Sequence, residues 1–398
     1  MKEYKYIIIG GGMAGSSAVM GIRKNDPRGS IALFSEEQSP PYNRPPLTKG
    51  LWDGKELKSI MRPMESYHVD LILGSKVTEI LPGKNQVTTA NGQEYTYQKL
   101  LLATGGSPNQ LPNSPEGVIF FRTLEDFKKL KKLAESKDHF CVIGGGFIGS
   151  EITAALIKQG KKVTMIFPEE GISSLHFPND LAEFLNDYYR EKGVTVYDHN
   201  LVTSIVKQGD QFQVEYRQTD SEENDSKIFD GVVVGIGTHP NISLAKDAGI
   251  EIDRGILVNE NLQTNFSEIF AAGDVCNFFN QVLGIRQRVE HEDNANTMGM
   301  RAGLNMSGLT EKYKHFPFFY SDLFDLGYEA IGELNKEYDI YSDWIEPYKK
   351  GTVYFLNDGK IRGLIFWNLW GNVDKGRQII QEGKTYQIAN LKNMFTED

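Results

Sequence analysis

The chain has 398 residues, 40% of them hydrophobic and 24% charged, with a net charge of −10. That length suits two or three domains. The acidic balance argues against nucleic acid as a partner, and no apolar run approaches the ~20 residues of a membrane-spanning helix. Only two cysteines occur, Cys141 and Cys276, too far apart for a redox C-x-x-C or a zinc cluster, so no metal site is expected.

The first element is an apolar strand from Tyr6 that runs into glycines, Tyr6–Gly15 (YIIIGGGMAG). With a strand this close to Met1, no targeting segment is expected before it and the expected compartment is cytoplasmic. Gly10, Gly12 and Gly15 read G-x-G-x-x-G, with Ala14 inside the turn. A strand that turns tightly into a helix offers backbone N–H groups and a positive dipole end to a pyrophosphate. The second strand, Ile31–Glu36, ends on Glu36. It lies about 20 positions past the last glycine, where a carboxylate meets ribose hydroxyls. The stretch Pro40–Lys49 (PPYNRPPLTK) is too rich in proline for regular structure. It carries the cations Arg44 and Lys49 and no cysteine. Lys99–Gly106 reads as a buried strand that ends through Ala103, Thr104 and Gly105, and Ser107–Gly117 as a crossover.

The fingerprint then recurs at Phe140–Gly149 (FCVIGGGFIG), through Gly144, Gly146 and Gly149, with Phe147 and Ile148 inside it. Glu151 falls in the first turn of the helix that follows, a position the helix dipole favours for a carboxylate. The strand Lys161–Glu170 brings Glu169 to the ribose position of this second unit. No Arg or Lys follows Glu169 directly, and a carboxylate repels a 2′-phosphate, so NADH is favoured over NADPH. A helix is expected over Asp180–Lys192. A hairpin is expected from Gln211–Tyr216 and Lys227–Val234, with Thr219–Asp225 as its acidic tip. Val232–Gly237 closes the unit as a buried strand running into Gly235 and Gly237. After Ile269–Asp274 (IFAAGD) comes a helix near Asn294–Met306. From Phe316 to Asp398 the aromatic alternation predicts an antiparallel sheet with one or two helices. Two cradles in one chain imply two dinucleotides and electron transfer between them.

These motifs together resemble the two-dinucleotide-binding flavoprotein reductases. Tyr42–Lys49 (YNRPPLTK) is similar to the branch that contains apoptosis-inducing factor, the ferredoxin reductases and monodehydroascorbate reductase. Phe121–Phe127 (FRTLEDF), Val289–Ala295 (VEHEDNA) and Leu326–Gly332 (LGYEAIG) resemble apoptosis-inducing factor in particular, and Gly351–Leu356 with Phe366–Asn368 fits the same family's C-terminal domain. The resemblance implies an α/β fold of glutathione-reductase-like architecture. Two Rossmann-like domains, an FAD-binding one over 1–117 and 255–315 and an NAD-binding one over 118–254, would precede a C-terminal α+β domain over 316–398.

By position match, Gly10, Gly12, Gly15, Glu36, Arg44, Lys49 and Asp274 would contact FAD. The same match puts Ala14, Val77, Gly273, Glu290 and Tyr320 on the FAD side, with the Ala103–Gly105 strand end. Ile148, Gly235 and Gly237 fall on the NAD side. It implies a Lys49–Glu151 ion pair that positions both rings and a Phe147 that covers the flavin face and yields to nicotinamide. It also implies a His291 that hydrogen-bonds beside them or senses redox state, and a Glu329 near the nicotinamide carboxamide. Tyr320 departs from the Trp of apoptosis-inducing factor and the ferredoxin reductases and matches the Tyr of monodehydroascorbate reductase.

The implied activity is hydride transfer from NADH to FAD. With no cysteine in the Pro40–Trp52 loop, electrons would leave the flavin directly for an external acceptor. Two outputs stay open. One is a reductase serving a ferredoxin, a quinone or a small radical. The other is a redox-responsive binding module, in which a reduced flavin–NAD⁺ charge-transfer complex controls partner binding or an NADH-dependent homodimer.

Overall fold

The computed structural model describes residues 2–395. The chain divides into two compact units, each assembled from three stretches. The first comprises Met1–Pro45, Glu56–Ser107 and His239–Phe319; the second comprises Pro46–Lys55, Pro108–Thr238 and Tyr320–Asp398.

The first unit is built on a seven-stranded sheet. Its parallel part runs Asp70–Ile72, Ile31–Phe34, Lys2–Ile9, Glu94–Leu102 and Ile269–Ala271. Such strands are buried on both faces, which is why Ile7, Ile8, Leu33, Leu100 and Leu101 form continuous apolar runs. The first strand starts at Lys2 rather than Tyr6. Lys2, Glu3 and Lys5 point to solvent while Tyr4 and Tyr6 are buried, so the ladder extends through the charged stretch. The helix Met13–Asn25 packs against Glu292–Met306. Glycines allow the close approach: a Cβ at Gly299 would meet the Ala14 carbonyl oxygen at 2.2 Å, and one at Gly303 the Ala18 carbonyl oxygen at 2.1 Å.

The second unit holds a five-stranded parallel sheet in the order Thr195–Tyr197, Lys162–Ile166, His139–Ile143, Gly231–Val234, Ile119–Phe120. The helix Leu124–Ser136 opens on a capping box between Thr123 and Asp126. The helix expected over Asp180–Lys192 spans Asn179–Glu191. The expected hairpin is a three-stranded antiparallel sheet, Asn200–Gln208, Gln211–Gln218 and Asp225–Phe229. The single strand expected over Lys227–Val234 breaks at Asp230. Its carboxylate accepts from the backbone N–H groups of His139 (3.0 Å) and Asp138 (3.2 Å), and beyond it Gly231–Val234 joins the parallel sheet. The C-terminal stretch forms the expected antiparallel sheet of five strands, backed by the helix Val373–Glu382. Among the described residues, no helix is long and apolar enough to cross a membrane.

Candidate functional site

Each fingerprint turns a parallel strand into a helix, and the middle glycine of each differs from the other two. Gly10 has φ +124°, and a Cβ there would lie 2.0 Å from the Ala103 carbonyl oxygen. A Cβ at Gly15 would lie 2.0 Å from the Gly10 carbonyl oxygen. Protein packing demands glycine at both. Gly12 differs. It caps the helix in an extended conformation, φ −81° and ψ −169°, open to any residue. A Cβ there would meet nothing within 4 Å.

The second fingerprint repeats this division of labour. Gly144 (φ +111°) and Gly149 are hemmed in by the carbonyl oxygens of Gly235 and Gly144, at 2.4 and 2.0 Å. Gly146, at φ −77° and ψ −171°, faces open space. A glycine that the protein itself does not require, at a helix N-terminus, fits a pyrophosphate held by backbone N–H groups. Ile148 lies in the first turn of the second helix, Phe147–Lys158. The amide of Gly235 donates to Ile143, and the carbonyl of Gly237 accepts from Asn109 at 2.9 Å.

In the first unit, backbone and side-chain hydrogen bonds tie down the strand ends beside the cradle. Ala103 donates its N–H to the Ile9 carbonyl, and Thr104 and Asn241 bind each other through side chain and backbone, both at 2.9 Å. Gly273, at φ +82°, lies against Ala14. Asp274 contributes to the field at Arg44; burial opposes the Arg44 charge, but Tyr42, Glu37 and Asp274 outweigh it and its pKa is raised. Arg44 pairs with Glu37 at 2.9 Å, and the Tyr42 hydroxyl donates to the same carboxylate at 2.6 Å. Glu36 stays exposed, 3.3 Å from Lys76. Val77 is buried at the start of a sheet strand. His291 caps the helix Glu292–Met306 and stacks on Phe319 with ring centroids 4.2 Å apart, while Glu290 pairs with Arg288.

In the second unit, Lys49 and Glu151 form the expected ion pair, Nζ to Oε1 at 2.6 Å. Glu151 is only 6% exposed. Two partners were not legible in the sequence: Thr48 donates to Oε2 and Ser321 to Oε1, each at 2.5 Å. Lys49 also lies 5.6 Å from the centroid of the Tyr320 ring. Phe147 stacks on His176 at 5.3 Å and comes within 6.5 Å of Tyr328. Burial, followed by the charge of Glu151, pushes the Tyr328 hydroxyl well above its ordinary range. Glu329 accepts the Gly371 N–H at 2.8 Å. Glu169 stands past the end of the strand Lys162–Ile166, and the neighbouring Glu170 pairs with Lys336 at 2.7 Å. Cys141 and Cys276 are both fully buried, and burial raises the pKa of each thiol. Among the described residues no group of three or more His, Cys, Asp or Glu side chains is placed to hold a metal ion.

Residues 4–299 match the family model described as pyridine nucleotide-disulphide oxidoreductase. The chain is 34% identical to apoptosis-inducing factor 1, mitochondrial, of Dictyostelium discoideum, across 98% of this chain and 80% of that protein. It is 30% identical to monodehydroascorbate reductase 3 of Arabidopsis thaliana, across 91% of this chain and 89% of that one. Among solved structures, the covalent putidaredoxin reductase–putidaredoxin complex matches with a TM-score of 0.91 and 27% identity, covering 99% of this chain and 97% of the other.

Proposed function

The chain belongs to the pyridine nucleotide-disulphide oxidoreductase family, and on that premise we propose that it is an FAD-dependent NADH oxidoreductase that hands electrons to an external acceptor without a redox disulfide. The observation that carries this reading is the pair of glycine cradles in which a Cβ at the middle glycine, Gly12 or Gly146, would meet nothing within 4 Å. In this reading residues 1–117 and 255–315 hold FAD, residues 118–254 hold NAD, and 316–398 form the C-terminal domain. When bound, the two dinucleotides supply the chemistry: hydride passes from the nicotinamide to the flavin, which then releases electrons onward.

The chain's own groups bind, orient and discriminate. The N–H groups around Gly12 and Gly146 hold the pyrophosphates. Glu36 accepts from ribose hydroxyls on the FAD side. Glu169 does the same on the NAD side and disfavours a 2′-phosphate. Lys49 supplies a fixed cation, paired with Glu151, for negative charge that develops on the flavin ring. Phe147 occupies the face that nicotinamide takes. His291 sits at its helix cap as a hydrogen-bonding group, and positioning alone suffices for hydride transfer. An electron-transfer protein is the acceptor class supported by the similarity to the putidaredoxin reductase complex.

The thiol-free route is tested with Cys141→Ala/Cys276→Ala. NADH-driven reduction of ferricyanide should stay within about twofold of wild type, since neither buried thiol carries electrons. Loss of that activity in a variant that still retains flavin would contradict the proposal.

A further inference from the structure

A carboxylate removed from water needs donors on both oxygens. Glu151 has three, contributed by two other parts of the chain. Lys49 and Ser321 share Oε1, at 2.6 and 2.5 Å, and Thr48 takes Oε2 at 2.5 Å. An ionised carboxylate only accepts, so both hydroxyls must donate to it. Their distances lie in the range of charge-assisted O–H···O⁻ bonds.

Thr48 and Lys49 are adjacent, and they straddle the carboxylate with one oxygen each. They follow Pro45 and Pro46, which restrict the backbone leading to them. Ser321 arrives from the strand Phe318–Leu323, next to Tyr320, whose ring faces the Lys49 ammonium. Lys49 is therefore fixed between an anion and an aromatic face. A lone ammonium contact would leave Oε2 without a donor, and the carboxylate free to turn or to take up a proton.

We propose that Thr48 and Ser321 are positioning residues that keep the Glu151 carboxylate ionised and in one orientation, and through it set the charge and place of the Lys49 ammonium. Its consequence for catalysis rests on the reading of Lys49 as a flavin contact; the chemistry at Glu151 does not. The other titratable groups around the pair are Asp322, Tyr328 and Tyr189, with Lys158 and Asp53 farther out. Burial raises the Asp322 pKa above its ordinary value, Lys49 opposing and Glu151 adding to that shift. Tyr189 and Tyr328 are pushed well above theirs by burial and then by Glu151. Neither phenol ionises near neutral pH.

The test is pulse acetylation of the purified protein across pH without NADH, with modification of Lys49 read by peptide mass spectrometry. Glu151→Gln removes the anion and should move the Lys49 labelling midpoint to lower pH. Thr48→Val/Ser321→Ala should move it in the same direction by at least half as much, with the single variants in between. Thr48→Ser and Ser321→Thr keep the hydroxyls and should label like wild type. They also provide the reading if the double variant fails to fold. In the same proteins, bleaching of the flavin by NADH should slow about tenfold in the double variant and recover in the conservative ones. A wild-type labelling midpoint in Thr48→Val/Ser321→Ala, or in both single variants, would overturn the proposal even where NADH bleaches the flavin normally. Failure of NADH to bleach the wild-type flavin would instead count against the reductase reading and leave the labelling result intact.

Discussion

Gly12 and Gly15 lie three residues apart, and the protein treats them oppositely. A methyl at Gly15 would sit 2.0 Å from a backbone oxygen that no side-chain motion can relieve, while one at Gly12 meets nothing within 4 Å. Gly15→Ala should destabilise the flavin-free protein by about 3 kcal/mol, the upper end of overpacking costs. Gly12→Ala should cost about 1 kcal/mol or less, the difference between glycine and alanine at a helix cap, yet lose most of its flavin affinity. Denaturant unfolding of the stripped protein, paired with a flavin titration, separates the two effects. Wild-type flavin affinity in Gly12→Ala would remove the argument that this glycine exists for a ligand.

The same scale shows what sequence can carry. The cradles are legible because they are local backbone chemistry written in consecutive residues. Lys49–Glu151 became legible only through resemblance. Thr48 and Ser321 were not legible at all, because a hydroxyl announces no partner and theirs lies 103 and 170 positions away.

Among the elements, the parallel strands that run into the glycines and both fingerprint helices follow the apolar runs that predict them, whereas the short strands Asp70–Ile72, Ile119–Phe120 and Thr195–Tyr197 were not anticipated. The three-stranded antiparallel sheet does so only for the pairing of Gln211–Gln218 with Asp225–Phe229. Asn200–Gln208 hides its period under Thr, Ser and Lys, and the run from Lys227 to Val234 looks continuous until Asp230 diverts it. Asp230 satisfies two backbone N–H groups at the start of the central strand His139–Ile143 and also accepts from Gln211 at 2.9 Å. Asp230→Ala should therefore cost about 1–3 kcal/mol, the penalty for partners left without an acceptor. The Gln211 hydrogen bond, against an opposing burial effect and with help from the His139 and Asp138 N–H groups, holds the Asp230 pKa below its ordinary value. A lowered carboxyl pKa stabilises the fold above the unfolded value of about 3.9. That contribution is lost as pH falls through the folded value. Denaturant midpoints measured from pH 6 downward should converge for wild type and Asp230→Ala as the pH falls below 4. A gap that stays constant with pH would show that Asp230 does not act through its charge.

At the scale of the molecule, the family's descriptive name includes a disulphide, while the two cysteines of this chain are free and buried in separate strands, Cys141 in His139–Ile143 and Cys276 in Cys276–Asn280. What stands out instead is a pair of glycine turns, each leading from a parallel strand into a helix, and the Lys49–Glu151 pair. The central claim is that NADH delivers its hydride to a flavin held by this chain. Anaerobic titration of the purified protein with NADH, followed through the flavin absorbance band, tests it most directly. The account predicts full bleaching at about one NADH per flavin, with NADPH at the same concentration slower by roughly tenfold or more, as a carboxylate facing a 2′-phosphate requires. A flavin band left unchanged by excess NADH would contradict it.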